Sequence, residues 1–237
     1  MKVILLAAGV GRRFGRRTRS LPKCLIPLNS RGQTLLSRYL DSFRKLKLKK
    51  IIIVVGHKKE KIISACRKYG TGLAIRSLFN KNFKEGSIVS LYSARGEMNE
   101  DCLIMDADIF FPTAALRRLL RSKHKTAFLI DTRSAPRGEE MMLWAKNGRP
   151  LAASKKKPRG LEALGECTGI FKVDKARAKL LSRLLKKFIA SKKRNVEYED
   201  SYAELLKGTR AGYEKIDGSY WTEMDFEEDL RKINKHG

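Results

Sequence analysis

The chain has 237 residues, 42% of them hydrophobic, and carries 52 Lys and Arg against 25 Asp and Glu, a formal net charge of +27. Such a length and composition exclude a disordered or fibrous chain and suffice to bury a sizeable core. No run approaches the ~20 apolar residues of a membrane-crossing helix. The charge predicts attraction to anions as a class (nucleic acid, acidic membrane surfaces, phosphorylated metabolites) without choosing among them. The basic residues are spread over Lys47 to Lys50, Lys58 to Lys61, Lys155 to Lys157 and Lys192 to Arg194, so most read as solvated faces. Cys24, Cys66, Cys102 and Cys167 lie far apart with no CxxC, which predicts reduced thiols, no zinc site and a cytoplasmic location.

The chain opens with Val3-Ile4-Leu5-Leu6, long enough for a buried strand and too short for a buried helix. Met1 to Val10 imitates a signal peptide, but its apolar core runs into Arg12-Arg13 where a cleavage site would belong, so it reads as the first strand. Then comes Ala7-Ala8-Gly9-Val10-Gly11-Arg12-Arg13-Phe14-Gly15. Small residues there let the backbone approach a ligand, and both bare N–H groups and guanidinium forks match phosphate oxygens. This is the candidate triphosphate cradle. The Walker and dinucleotide patterns do not fit it. Lys23 follows in Pro22-Lys23-Cys24-Leu25-Ile26-Pro27-Leu28, which reads as a rigid extended segment. Leu6 to Phe14 followed by Pro22-Lys23 resembles the signature of the nucleotidyltransferases that make nucleoside-diphosphate sugars and CDP-alcohols.

Behind the cradle, Leu35, Leu36, Tyr39, Leu40, Phe43 and Leu46 recur at helical spacing, and Ile51 to Val55 gives a buried strand. A second round places Ile62, Ile63, Ala65, Cys66 and Tyr69 on a helix and a strand around Leu73 to Phe79. Buried strands alternating with amphipathic helices predict an α/β fold, Rossmann-like, with a mostly parallel sheet flanked by helices and ligands at the carboxyl ends of the strands. Ser87 to Arg95 reads as a helix whose first turn could face a bound nucleotide, Ser87 serving that role or only an N-cap. The strand Cys102 to Met105 runs into Asp106-Ala107-Asp108. Two carboxylates at one strand end repel unless a cation sits beside them, and Mg²⁺ takes carboxylates together with phosphates; one aspartate could instead cap the next helix.

The second half reads differently: strands at Ala127 to Ile130 and Glu139 to Trp144, a turn at Gly148-Arg149-Pro150, and a charged linker or lid at Lys155 to Gly160. A strand over Gly165 to Val173 and a long basic helix from about Asp174 to Ile189 follow. The organisation expected is a single domain over 1–237, with a nucleotide-binding half to about 125 and an acceptor-binding half from about 126 with a small lid. Glu197-Tyr198-Glu199-Asp200 precedes a short helix. In Trp221-Thr222-Glu223-Met224-Asp225, Glu223 and Asp225 alternate and would share one face of an extended segment. Glu227, Glu228 and Asp229 suit the first turn of a terminal helix.

Taken together, the opening loop, Asp106-Ala107-Asp108, Gly165-Glu166 with Gly169, the Ser87 to Arg95 helix and Trp221 to Asp225 fall in the order seen in small cytidylyltransferases similar to CTP:phosphocholine cytidylyltransferase. The resemblance implies an enzyme that joins CTP to a phosphorylated alcohol or amino alcohol and releases pyrophosphate. It implies Mg²⁺ held by Asp108, Glu223 and Asp225, with Arg13 and Lys23 on the triphosphate and the reacting phosphate as the catalytic pair. The nucleotide site is expected to comprise Leu6, Ala7, Ala8, Gly9, Gly11, Arg12, Arg13, Lys23, Ser87 and Asp106, and the acceptor site Glu139, Glu166, Tyr198 and Trp221. Arg12 stands where the group usually has Ser or Thr, and Glu85-Gly86-Ser87 replaces its Asn run. Choline-type acceptors would call for an aromatic cage, for which Tyr92, Trp144, Tyr198 and Trp221 are candidates; phosphocholine, inositol phosphate and aminoalkylphosphonates stay open as acceptors. The alternatives are a sugar-1-phosphate nucleotidyltransferase using UTP or TTP and a non-catalytic nucleic-acid-binding protein, although nucleic acid is not expected as substrate and no interleaved basic and aromatic surface is evident. The oligomeric state is left open.

Overall fold

The opening apolar run is buried along its whole length and forms β1 (Lys2–Ala7) in the computed structural model of the chain, which describes residues 1–216 and 218–236. A 3-10 segment over Arg12–Arg19 and a shorter one over Lys23–Leu25 follow. Then come α1 (Leu35–Lys45), β2 (Lys50–Val55), α2 (Lys59–Tyr69), β3 (Ala74–Phe79), α3 (Ser87–Ser93), β4 (Cys102–Asp106), β5 (Ile109–Phe110), α4 (Thr113–Arg121) and β6 (Ala127–Asp131). The remainder forms β7 (Met142–Lys146), β8 (Arg149–Ser154), β9 (Glu162–Val173), α5 (Lys175–Ala190), α6 (Glu199–Lys207), β10 (Gly212–Lys215), β11 (Thr222–Glu223) and α7 (Glu227–His236).

One sheet runs in the order β10-β6-β9-β4-β1-β2-β3, with β7 added to β9 and β8 to β7. β3, β2, β1 and β4 are parallel, β9 is antiparallel to both β4 and β6, and β10 is parallel to β6. The fold is thus the α/β arrangement expected, a mostly parallel sheet flanked by helices. Register matters more than order here. Leu6 lies opposite Val54 and Asp106, and Val54 opposite Leu78, so four strands end level and their loops emerge along one edge.

Alternation along the strands builds two apolar layers. Val3, Leu5, Ile51, Ile53, Leu103 and Met105 pack with residues of α1, α2, α4 and α7; Ile4, Leu6, Ile52, Val54 and Ile104 pack with residues of α3, α5 and α6. Strands buried on both faces have no polar side to expose, which is why these segments read as unbroken apolar runs. The four cysteines are free and buried in these layers, and burial pushes the Cys24 and Cys102 thiols up to about 12. Among the described residues no helix is long and apolar enough to cross a membrane.

Several local expectations are corrected. Lys23 sits on a 3-10 turn, closed by Leu25 N–H to Pro22 O at 2.9 Å, because the prolines bracket a turn and do not extend the chain. The strand expected from Glu139 begins at Met142 and continues to Lys146, and its hairpin turns on Asn147-Gly148, both at positive φ, while Arg149 and Pro150 belong to β8. The residue before α4 is Pro112 and no side chain caps that helix, so neither Asp106 nor Asp108 does so. Gly86, not Ser87, precedes α3.

Asp174 starts α5 by accepting the amides of Ala176 and Arg177, and it also takes the Thr126 hydroxyl at 2.7 Å, tying the helix to the start of β6. Asp174→Ala is expected to lower the unfolding free energy by about 1–2 kcal/mol, read as a shifted urea midpoint at unchanged m-value.

Candidate active site

The level strand ends open into a cleft of about 490 Å³. Its floor and walls are the loop after β1 (Leu6 and Ala8 to Arg13), Lys23, the loop after β3 (Phe83 to Glu85), Ser87 and Ser90 of α3, and Asp106 and Asp108 at the end of β4. Glu139 to Met141, Lys155, Glu166, Glu197 to Glu199, Glu223 and Asp225 complete it from the second half of the chain.

The cradle's shape follows from its glycines. Gly11 adopts φ 66°, ψ 39°, a left-handed conformation that side chains disfavour, and turns the chain into the Arg12–Arg19 segment. Thr18 Oγ1 fixes that turn by donating to Gly11 O at 2.9 Å and to Gly15 O at 3.0 Å. A Cβ on Gly9 would meet nothing within 4 Å, and the amides of Gly9, Val10 and Gly11 have no hydrogen-bond partner among the described residues. Unpaired backbone donors beside arginines make a concavity suited to an anion.

Facing the cradle, the Lys23 ammonium lies 2.7 Å from Asp108 Oδ2 and 2.6 Å from Asp225 Oδ1, and Arg13 reaches Asp225 Oδ2 at 2.6 Å. Burial acts to lower the Lys23 proton affinity, but Asp108 and then Asp225 reverse this and raise it above the ordinary lysine value. Glu223 has an exposed edge, yet cleft walls surround its carboxyl; that enclosure first, then Asp108 and Asp225, push it up to about 7. Three anions and two cations therefore share one corner.

The last two anions arrive on a segment with its own supports. Thr222 and Glu223 pair antiparallel with Phe110 and Ile109, and Met224 N–H donates to Asp108 O at 2.8 Å. Asp229 Oδ2 accepts the amides of Asp225 and Phe226 at 3.0 and 2.8 Å. The strand ends at Glu223, so Asp225 reaches the cleft from beyond β11 and not by strand alternation. Upstream, the Trp221 indole donates to Asp131 Oδ2 at 2.7 Å, and Asp131 also holds Arg133, whose guanidinium donates to Ser219 O at 3.2 Å. Arg133 hydrogen bonds and the Trp221 bond hold the Asp131 carboxyl down at about 2, against the opposing pull of burial.

Deeper in the cleft Asp106 accepts the Tyr198 hydroxyl at 2.5 Å. Burial, then Asp108 and Glu199, raise the Asp106 carboxyl well above the ordinary range. Gly169 leaves the space this needs, since a Cβ there would lie 2.8 Å from Asp106 Oδ2. Burial likewise pushes Glu199 up to about 8 and raises Glu166.

Of the residues expected from sequence, Leu6, Ala8, Gly9, Gly11, Arg12, Arg13, Lys23, Ser87, Asp106, Asp108, Glu139, Glu166, Tyr198, Glu223 and Asp225 line the cleft. Ala7 and Trp221 do not: Ala7 is buried within β1, and Trp221 anchors the terminal segment. The Ser87 hydroxyl is engaged by Glu197 Oε2 at 2.7 Å and by the Tyr198 amide at 2.9 Å. Nor do Tyr92, Trp144, Tyr198 and Trp221 form a cage. Trp144 is buried with its indole on Ser154 O, Tyr92 stacks under Arg95, and only Tyr198 reaches the cleft. Sequence reading missed Phe83, Ser90, Glu140, Met141, Glu197 and Glu199; the acidic run from Glu197 to Asp200, in a chain short of acid, was the one available signal.

The donor set fits a hard divalent cation. Asp108 and Asp225 approach closely enough to share one ammonium, and Mg²⁺ commonly takes one or two carboxylates beside phosphate oxygens. Among the described residues no three acidic, His or Cys side chains converge as a complete cage.

Comparison with known proteins gives the chain a family. The family model described as MobA-like NTP transferase domain matches residues 3–186, and the chain belongs to that family. A Rubrobacter xylanophilus protein, named bifunctional IPC transferase and DIPP synthase, is 29% identical over 233 residues, 96% of this chain and 50% of that protein. The choline-phosphate cytidylyltransferase of Haemophilus influenzae is 28% identical over 151 residues, 64% of this chain and 61% of the relative. The chain thus spans half to three-fifths of the length of these curated relatives. Among solved structures, the inositol-1-phosphate CTP transferase from T. maritima superposes with a TM-score of 0.79 at 18% identity, covering 100% of this chain and 96% of that one.

Because the Asp131 carboxyl is depressed, its hold on Trp221 is fully present above the ordinary carboxylate pKa of about 3.9 and is lost as pH falls through about 2. Trp221 emission should stay constant down to about pH 4 and change below it. Asp131→Asn should shift that emission at neutral pH and lower stability by roughly 1–2 kcal/mol.

Proposed function

We propose that this chain is a nucleotidyltransferase that joins CTP to a phosphorylated small alcohol and releases pyrophosphate. The observation that carries the reading is Lys23 and Arg13 of the cradle meeting Asp108 and Asp225 in one cleft, cations for phosphate beside carboxylates for a metal. The unpaired amides of Gly9 to Gly11, with Arg12 and Arg13, bind the triphosphate; Leu6, Ala8, Ser87 and Asp106 border the nucleoside. The first half of the chain supplies this nucleotide site and the second half the acceptor site and the last two carboxylates.

The chemistry asks for position and charge. An acceptor phosphate oxygen attacks the α-phosphorus in line; the bond to the bridging oxygen breaks, and its electron pair leaves with pyrophosphate. Lys23 and Arg13 neutralise charge on the phosphates, and holding two polyanions together is the main obstacle they offset. Asp108 and Asp225 would hold Mg²⁺, with the Glu223 carboxylate in the same cleft beside them, and the metal when bound would supply further charge neutralisation at the phosphates. No nucleophilic side chain is needed.

The acceptor lobe narrows the substrate. Glu139, Glu140, Glu166, Glu197 and Glu199 line it, with Lys84 and Lys155 in the same cleft lining, and no aromatic cage is assembled. Carboxylates accept hydrogen bonds from hydroxyl or amine groups, whereas a quaternary ammonium would call for aromatic faces. We therefore favour a phosphorylated polyol such as an inositol phosphate, then a primary-amine acceptor, over phosphocholine.

Pyrophosphate release with CTP, UTP, TTP and GTP, each against inositol phosphate, phosphoethanolamine, an aminoalkylphosphonate, phosphocholine and glucose 1-phosphate, tests this directly. CTP with a polyol phosphate should turn over fastest. Preference for UTP or TTP with the sugar phosphate would replace the reading by a sugar-1-phosphate nucleotidyltransferase. Lys23→Ala should keep the circular dichroism spectrum and lower kcat by roughly two to three decades; near-normal turnover would refute the role given to Lys23.

A further inference from the structure

Part of the charge excess stands at the cleft edge. The loops that leave β1, β2 and β3 at the cleft edge are locked into one ledge: His57 Nε2 lies 2.8 Å from Thr18 O, His57 N–H donates to Ala8 O at 3.1 Å, and Asn80 N–H donates to Val55 O at 2.8 Å. Gly56 is pressed between them, since a Cβ there would stand 2.4 Å from Phe83 Cβ and 2.6 Å from Ala8 O. This ledge and the first turn of α2 that continues from it expose Arg16, Arg19, Lys58, Lys61 and Lys81, and none of the five has an ion pair among the described residues. At its end Phe79 is 50% exposed with the Lys59 ammonium 3.8 Å above its ring. Lys59 itself has only its sequence neighbour Glu60, at 3.9 Å.

Attraction of CTP does not account for this surface, because these cations lie outside the residues that line the cleft. Like charges held together on a rigid ledge raise the energy of the folded state unless an anionic partner offsets it. A single-stranded nucleic acid would find one exposed ring here and no row of rings for successive bases. One apolar side chain set among lysines and arginines instead matches what holds proteins at acidic headgroups.

We propose that the ledge formed by the loops after β1, β2 and β3 docks the protein on an anionic lipid surface, the cations meeting headgroup phosphates and Phe79 entering at headgroup depth. Co-sedimentation with phosphatidylglycerol–phosphatidylcholine vesicles tests it. The full chain should bind them and fail to bind pure phosphatidylcholine, with affinity falling steeply as salt rises. Each cation near an acidic surface contributes about fivefold, so Lys58→Gln/Lys61→Gln/Lys81→Gln should lose roughly a hundredfold and show a shallower salt dependence. Phe79→Ser should lose roughly tenfold at an unchanged salt slope. Both variants should keep the thermal melting point and the CTP-induced shift of the parent, which separates lost docking from lost folding. No binding to acidic vesicles at ~0.1 M salt, equal binding by the triple variant, or binding to single-stranded RNA at that salt without binding to vesicles would each overturn the proposal.

Discussion

The structure turns on one ammonium group. Lys23 Nζ contacts Asp108 and Asp225, residues 85 and 202 positions away in the chain, and through them joins the first loop to the end of β4 and to the segment before α7. Its side chain is only 12% exposed, so the attraction acts in a partly desolvated corner where it is far stronger than between surface charges. Removing either carboxylate would leave a buried cation under-compensated, and removing the lysine would leave the two carboxylates facing each other. That mutual dependence is what makes the corner able to exchange partners: phosphates can take the cation, and a metal can take the anions.

Around this corner the chain separates its charges. A protein with 25 acidic residues against 52 basic ones places carboxylates from six different segments along a single cleft, while a group of its cations stands on the ledge outside it. The separation has a physical cost in the cleft, visible in the raised carboxyls of Asp106, Glu166, Glu199 and Glu223. Such concentration of like charge in a cavity is the mark of a site that receives ligands, because a purely structural core would have no reason to hold it.

How much of this was legible in the sequence depended on distance along the chain. Buried parallel strands announce themselves as apolar runs, so β1, β2 and β4 and the mostly parallel sheet could be read locally. The cradle was legible because glycines and arginines sit within a dozen residues of β1. Asp108, Glu223 and Asp225 were readable as carboxylates at a strand end and on an acidic alternating segment, and resemblance joined them into one set; their nearness in space could not be read from spacing. Trp221 shows the limit clearly: beside Glu223 it looked like an acceptor contact, yet its partner is Asp131, ninety positions earlier and known only once β6 is placed in the sheet. Ser87 does line the cleft, but the Glu197 and Tyr198 groups that engage its hydroxyl come from more than a hundred residues downstream, beyond local reading. Lys23 was assigned the wrong local backbone because Pro22 and Pro27 admit both an extended segment and a bracketed turn.

The terminal segment's docking has a consequence for synthesis. While the ribosome has delivered the chain only as far as the loop after β4, Lys23 and Asp108 exist, but Asp225 and the Asp131–Trp221 clasp do not. A nascent chain at that stage would hold Lys23 against Asp108 alone, with Arg13 lacking the carboxylate it meets in the finished corner. The corner therefore closes only after the segment beyond β11 has been made and docked, some two hundred residues after the loop it completes.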